Sequence, residues 1–282
     1  MILRLPNPER FPSIPSPKAP TMHRLFFILC SFLFHCQILA QIDPPKTAFE
    51  EYLIAPVHVH RLVTPGELNL STTLTPKDIE RIFGKVNKIW GHAGIHFPAQ
   101  TLTQEPAANP NAYRQNYRSR RLGWMLALRP KETRSPDQFH VYYLKRFLAN
   151  GVYIGRDGMF VKDTANLRTV KNGVDEPIPR VTSHELGHAL TLKHRQEVTN
   201  LMASGTSGWT FNEAEIKQAR DAARKFKWIR PATAILAEAD RLFEKGAKEE
   251  AAPLYQLLAT IPLHCPETLR ARQRSQPAAP AH

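Results

Sequence analysis

The stretch Ser183-His184-Glu185-Leu186-Gly187-His188-Ala189-Leu190-Thr191-Leu192-Lys193-His194, followed by Asn200-Leu201-Met202, organises the reading of the whole 282-residue chain. Two histidines four apart with a glutamate behind the first have a definite meaning on a helix. At ~100° per residue, His184 and His188 fall about 40° apart on one face and roughly 6 Å apart along the axis, so both imidazoles reach one metal ion. Glu185 sits one step around from His184, where its carboxylate can hold a water at the ion without ligating the ion itself. That is the arrangement metal-assisted hydrolysis needs.

His194 joins the other two only if the helix stops. In a continuous helix it would lie about 9 Å beyond His188 and be rotated ~240° away. The spacing therefore predicts a helix that ends near Leu190 or Thr191 and a chain that turns back. Read this way, the stretch resembles the metzincin zinc peptidases, whose pattern is H-E-x-x-H-x-x-G-x-x-H followed by a methionine-bearing turn. The resemblance implies that His184, His188 and His194 hold one catalytic Zn2+, that Glu185 is the catalytic base and that Met202 is the methionine of the turn beneath the metal. It also implies an α+β fold: a mixed twisted sheet with an active-site helix, a Met-turn and a C-terminal helix. The family's glycine is replaced by Thr191, a β-branched residue for which a left-handed conformation costs roughly 1–2 kcal/mol. Either that strain is borne or the turn has another shape.

The 42% hydrophobic content supports a packed core and argues against a largely disordered chain. Residues 1–21 are proline-rich and unpatterned. Met22-His23-Arg24 then leads into the apolar run Leu25 to Phe34 and on to Ala40, the parts of a secretory signal peptide. Residues 1–40 therefore read as an upstream extension and signal peptide, with Met22 as the start, which places the protein in the envelope, periplasm or medium with no stable membrane span after cleavage. A signal anchor is the alternative, although the run is short and interrupted by His35 and Gln37. Cleavage after Ala40 removes Cys30 and Cys36 and leaves Cys265 alone, so no internal disulfide is expected. Residues 1–40 carry four cations against one acid, so the formal charge of +13 becomes +10 in the remaining chain. That excess suits anionic surfaces or acidic substrates, or is simply a solvated basic surface.

Residues 41–229 read as the catalytic domain. Tyr52 to Leu62 alternates as a half-buried strand, with Val57 and Val59 on one face and His58 and His60 on the other; with no third ligand nearby, these histidines read as solvent-facing. Thr75-Pro76-Lys77-Asp78 starts a helix whose Ile79, Ile82, Phe83, Val86 and Ile89 form one buried face, and a strand follows from Gly94. Residues 98–138 mix basic and aromatic side chains (Arg114, Arg118, Arg120, Arg121; Tyr113, Tyr117, Trp124) without a recognised nucleic-acid module, and read as a solvated helix and loop. Phe139 to Leu144 reads as a strand. Gly151 to Gly155 and Met159 to Val161 flank Asp157-Gly158 as a hairpin, whose edge the resemblance assigns to extended substrate. Pro177-Ile178-Pro179 is expected to break regular structure ahead of the active-site helix, with Thr182 or Ser183 as its cap.

Asn212-Glu213-Ala214-Glu215 caps a further helix, and Glu213 offers a rival ligand set with His184 and His188 of the thermolysin kind. Residues 230–264 resemble a single tetratricopeptide repeat, a helical hairpin packed on the domain or docking a protein partner. Residues 265–282 read as a disordered tail. The function that follows from the resemblance is a secreted or envelope zinc endopeptidase acting on protein or peptide substrates. A zinc-bearing but inactive binding module and a basic polyanion-binding or envelope-binding protein are the alternatives; no specific nucleic acid is expected.

Overall fold

The computed structural model describes residues 49, 51–155, 157–261 and 265–275. The expected signal peptide, with Cys30 and Cys36, lies outside them, as do Arg156 and residues 276–282. Among the described residues no helix is long and apolar enough to cross a membrane. Cys265 is buried and free.

The first run of chain forms β1 (Leu53–Ile54) and β2 (Val57–Leu62), interrupted at Pro56, which has no amide to donate. The helix α1 (Pro76–Gly91) opens with the expected capping box: Thr75 Oγ1 accepts from the Asp78 amide and the Asp78 carboxylate accepts from the Thr75 amide. Such a cap contributes about 1 kcal/mol. Its buried face holds all five residues read from the sequence, together with the fully buried Trp90. A second interrupted run follows as β3 (Ile95–His96) and β4 (Ala99–Glu105). The short α2 (Pro110–Asn116), a 3-10 turn at Leu122–Leu128 and β5 (Phe139–Leu144) lead to β6 (Gly151–Tyr153) and β7 (Met159–Lys162). The helix α3 (Pro177–Ala189), which carries His184 and His188, is followed by α4 (Glu213–Ala223), and β8 (Arg230–Pro231) precedes α5 (Ala232–Glu244), α6 (Lys248–Ala259) and α7 (Pro266–Ser275).

The fold is mixed α and β, with two sheets that each contain parallel and antiparallel pairs. The larger sheet runs β4-β2-β5-β7-β6, parallel throughout except for the antiparallel edge strand β6. The small sheet joins β1 to β3 and β8. Helices α1 and α3 pack on the large sheet around one apolar core that includes Val57, Val59, Val141, Leu186 and Met202.

Four expectations need correction. The histidine face of β2 is buried, because β2 lies inside a largely parallel sheet and the 99–135 region covers its second face; His58 is 7% exposed and His60 fully buried. A third histidine is also adjacent: His140, opposite His58 in the β2–β5 register. Residues 98–138 are not only helix and loop, since they begin with the seven-residue strand β4; it lies at the sheet edge with mostly exposed side chains and so carries no apolar alternation. Finally, 266–275 is helix rather than tail. Ala271 and Thr268 are buried beside Cys265, the Arg272 side chain donates to the carbonyl of Ile261, and Arg274 lies over the Phe243 ring. The unit after residue 230 is thus three helices sharing a core with Tyr52 and Ile54.

Candidate metal centre

α3 begins earlier than the sequence suggests. Pro177 occupies its first turn, where a missing amide donor costs nothing, and Pro179 follows. Glu176 at the N-cap makes no side-chain capping bond; it pairs with Arg81 and Lys85 of α1, which fixes the start of α3 against α1. Thr182 and Ser183 are therefore interior positions: the Thr182 hydroxyl donates to the carbonyl of Ile178 and meets the Tyr143 hydroxyl. Early initiation gives α3 two full turns before His184, so the ligands rest on packed helix.

The C-terminal end is where the fold of the site is decided. Thr191 adopts φ 68°, one of two non-glycine residues with positive φ among the described residues. The Leu192 amide then reaches back to the carbonyl of Gly187, and the Thr191 amide to that of His188, closing a left-handed helix cap. Gln218 of α4 holds the turn from outside by donating to the Thr191 carbonyl at 2.7 Å. The strain expected for a β-branched residue is thus borne, and the chain reverses as the spacing required.

Reversal brings His194 to the other two histidines. The Nε2 atoms of His184, His188 and His194 lie 3.1–3.2 Å from one another. The Nδ1 of His184 is 2.8 Å from the carbonyl oxygen of Leu201, and that of His188 is 2.8 Å from the carbonyl of Leu192. Both Nδ1 atoms therefore carry the proton and both Nε2 atoms present a lone pair to the same point. Bare lone pairs so close together repel unless a cation lies between them. The spacing suits an ion bound through nitrogen at ~2.0–2.1 Å. Burial lowers the pKa of His184 to about 3, helped by the nearby Arg180 guanidinium, and burial also lowers that of His188, so both are neutral and competent as ligands at neutral pH.

Glu185 faces the same cavity of about 360 Å³ as the three histidines. Burial pushes its pKa up to about 8, opposed by Arg180 and by a hydrogen bond from the backbone of Tyr153. That bond ties the carboxylate to the edge strand β6. Gly151, at the start of β6, has no room for a side chain: a Cβ there would run into Glu185 Oε1 and Val181 Cγ1. Below the helix, Met202 is fully buried, and a Cβ on Gly187 would lie 2.6 Å from its sulfur, so Gly187 lets the helix settle on the methionine turn.

Two residues that hold the site together were missed as such in the sequence. Arg180, one turn before His184 and 2% exposed, donates to the carbonyls of Gly208 and Ala203 and places a guanidinium nitrogen 3.4 Å from His184 Nδ1. It pins the 200–208 segment to α3. Glu215, read only as a capping residue, does close a capping box with Asn212, but it is also 1% exposed and accepts from Arg195 and Asn200. These residues follow His194 and precede Met202, and the Arg195 amide donates to the Met202 carbonyl. The i−4 position of Arg180 on a helix and the acid pair after Asn212 were the only signals available. Glu213 is exposed and lines a different depression with His92 and Arg224, so it does not join the histidines.

A second histidine group, His58, His60 and His140, is also close enough to hold an ion. Its nitrogens are partnered within the protein. His60 Nδ1 is 2.5 Å from the Glu105 carboxylate and its Nε2 is 2.8 Å from His140 Nδ1; His140 Nε2 lies 2.8 Å from the Ser135 carbonyl, and His58 Nε2 is 2.5 Å from the Thr103 hydroxyl. The His58 and His60 rings stack face to face with centroids 4.0 Å apart. This chain of bonds is a satisfied buried polar network. Among the described residues, two histidine triads lie close enough to hold a metal ion, and that of His184, His188 and His194 opens on a cavity beside a carboxylate and a strand edge.

Compared with known proteins, the sequence matches no family model and no curated protein.

Proposed function

We propose that the chain is a zinc-dependent endopeptidase of the metzincin type, exported to the envelope or medium by its N-terminal signal. The observation that carries this reading is the convergence of three Nε2 lone pairs with a buried carboxylate in one cavity walled by an exposed strand edge. His184, His188 and His194 would hold the ion, which supplies Lewis-acid polarisation of the scissile carbonyl and lowers the pKa of water.

The rest follows from the protein's own residues. The free edge of β6 takes extended substrate by backbone pairing, since its other edge is occupied by β7. The Glu185 carboxylate, steadied by the Tyr153 backbone, takes a proton from the attacking water and delivers it to the departing amine. Burial leaves this carboxyl ready to bind a proton, and a cation held by the three histidines would lower its pKa toward the range in which it works as a base. Arg180 and Glu215 act through the ligands by fixing the two segments that carry His194 and Met202. The unit formed by α5, α6 and α7 offers a place for a protein partner. The test is Glu185→Gln assayed for metal content and for cleavage of a mixed peptide library: metal retained with cleavage lost supports the reading, and equal cleavage by both proteins overturns it.

A further inference from the structure

A second cavity, of about 650 Å³, adjoins the candidate active site. Its lining includes four cations, Arg118, Lys145, Arg146 and Lys162, and no carboxylate. By contrast, Arg81, Lys85, Arg114, Arg129 and Arg195 each pair with an acid. None of the four cavity cations forms an ion pair among the described residues, and Arg118 lies instead over the Tyr117 ring. Burial and the Arg146 charge both lower the pKa of Lys162. Unpaired like charges gathered around a concave surface destabilise the free protein and favour an anion that enters it.

The wall is built from fixed parts. The Arg146 carbonyl accepts from the Tyr113 hydroxyl at 2.8 Å and the Lys145 carbonyl from the Thr164 hydroxyl at 2.8 Å. Phe147, 3% exposed, anchors the same segment in the core. This segment continues directly into Ala149, Asn150 and Gly151, which line the cavity of the three histidines. The Asn150 carbonyl accepts from the Lys162 amide at 2.8 Å, so the two cavities share a wall at the start of β6. An extended chain paired with β6 and continuing past Gly151 runs toward the four cations.

We propose that this basic cavity is a substrate subsite that binds carboxylate side chains, so that peptides with aspartate or glutamate within a few residues of the cleaved bond are preferred. The proposal rests on the peptidase reading above. Phosphate polymers fit less well: of the aromatics that alternate with basic residues in the sequence, Tyr113 is buried and Trp124 packs on the same core cluster, while Tyr117 lines the cavity with its ring already under Arg118. A run of bases would therefore meet a single ring, already covered, rather than a row of stacking surfaces.

The experiment compares wild type with Arg146→Gln/Lys162→Gln on paired peptides, identical except that glutamates in one replace glutamines in the other at successive positions outward from a cleaved bond. The expected result is a kcat/KM about fivefold to tenfold higher for the glutamate peptide at low salt, shrinking toward parity in the double variant and at high salt. Cleavage of both peptides without preference would overturn the subsite and leave the peptidase reading standing. In parallel, Glu185→Gln is titrated with the labelled peptides and with a single-stranded oligonucleotide. Glutamate-dependent binding that the double variant loses supports the subsite even if wild type cleaves nothing. Equal binding of both peptides, or displacement of the glutamate peptide by the oligonucleotide at lower concentration, refutes it.

Discussion

Thr191→Gly should stabilise the protein, although it removes a side chain from the turn that brings His194 to His184 and His188. Thr191 holds φ 68°, which costs a β-branched residue roughly 1–2 kcal/mol. Glycine removes that strain and gives back ~0.5–1 kcal/mol through greater freedom in the unfolded chain. The side chain is exposed, and its one hydrogen bond, from Gln218 to the hydroxyl at 3.2 Å, is secondary to the 2.7 Å bond that the same amide makes to the Thr191 carbonyl, which glycine keeps. The net gain is about 0.5–1 kcal/mol, or roughly 1–4 °C in Tm for a domain of this size. Thr191→Val keeps the strain and loses the hydroxyl, so its Tm should match or fall slightly below wild type. Thr191→Pro, locked near φ −65° and without the amide that donates to His188, should lose the third ligand and with it tight metal binding. Thermal unfolding in chelator isolates the fold from the metal. A lower Tm for Thr191→Gly, or a higher one for Thr191→Val, would refute the left-handed turn on which His194 depends.

Gly151→Ala should reduce kcat/KM by about a hundredfold or more with metal content unchanged, because the new methyl displaces the Glu185 carboxylate rather than a ligand; turnover and metal analysis on one preparation check it. Arg180→Met leaves the buried carbonyls of Ala203 and Gly208 without their donor and should cost ~2–4 kcal/mol in urea unfolding, with metal affinity about ten- to a hundredfold weaker by chelator competition. The buried His58, His60 and His140 are held neutral by the fold, His58 down to about 4, while the unfolded chain takes up protons near 6.5. Their contribution is complete above pH 6.5 and is lost as pH falls below it, for His58 over the span from 6.5 to about 4 at up to ~1.4 kcal/mol per pH unit. His58→Gln should therefore flatten the pH dependence of the urea midpoint by about one proton in that window, and an unchanged slope would contradict the burial account.

Much of the site was legible because helix geometry is local. The i, i+4 spacing of His184 and His188, the need for a turn before His194 and the buried face of α1 all follow from a 3.6-residue period. What escaped reading was set by neighbours distant in sequence. His58 and His60 alternate like a solvent-facing pair, and only the parallel partners β4 and β5 bury them. β4 carries no apolar pattern because it is an edge strand. The prolines at 177 and 179 look like breakers, but at the first turn of a helix they are tolerated. The helix at 266–275 has a charged composition that suggests disorder, and its order comes from a few contacts of Thr268, Ala271, Arg272 and Arg274. Arg180 and Glu215 are ordinary helix residues in the sequence; their roles exist only because the 195–208 segment folds back onto them.

The central claim is that three histidines hold a metal at which Glu185 acts as the base. The most direct measurement is metal content and peptide turnover of Glu185→Gln beside wild type and His194→Ala. The account predicts one tightly held zinc per chain in wild type and Glu185→Gln, turnover in wild type alone, and weak or no metal retention in His194→Ala. Turnover by Glu185→Gln at the wild-type rate, or tight zinc in His194→Ala, would contradict it.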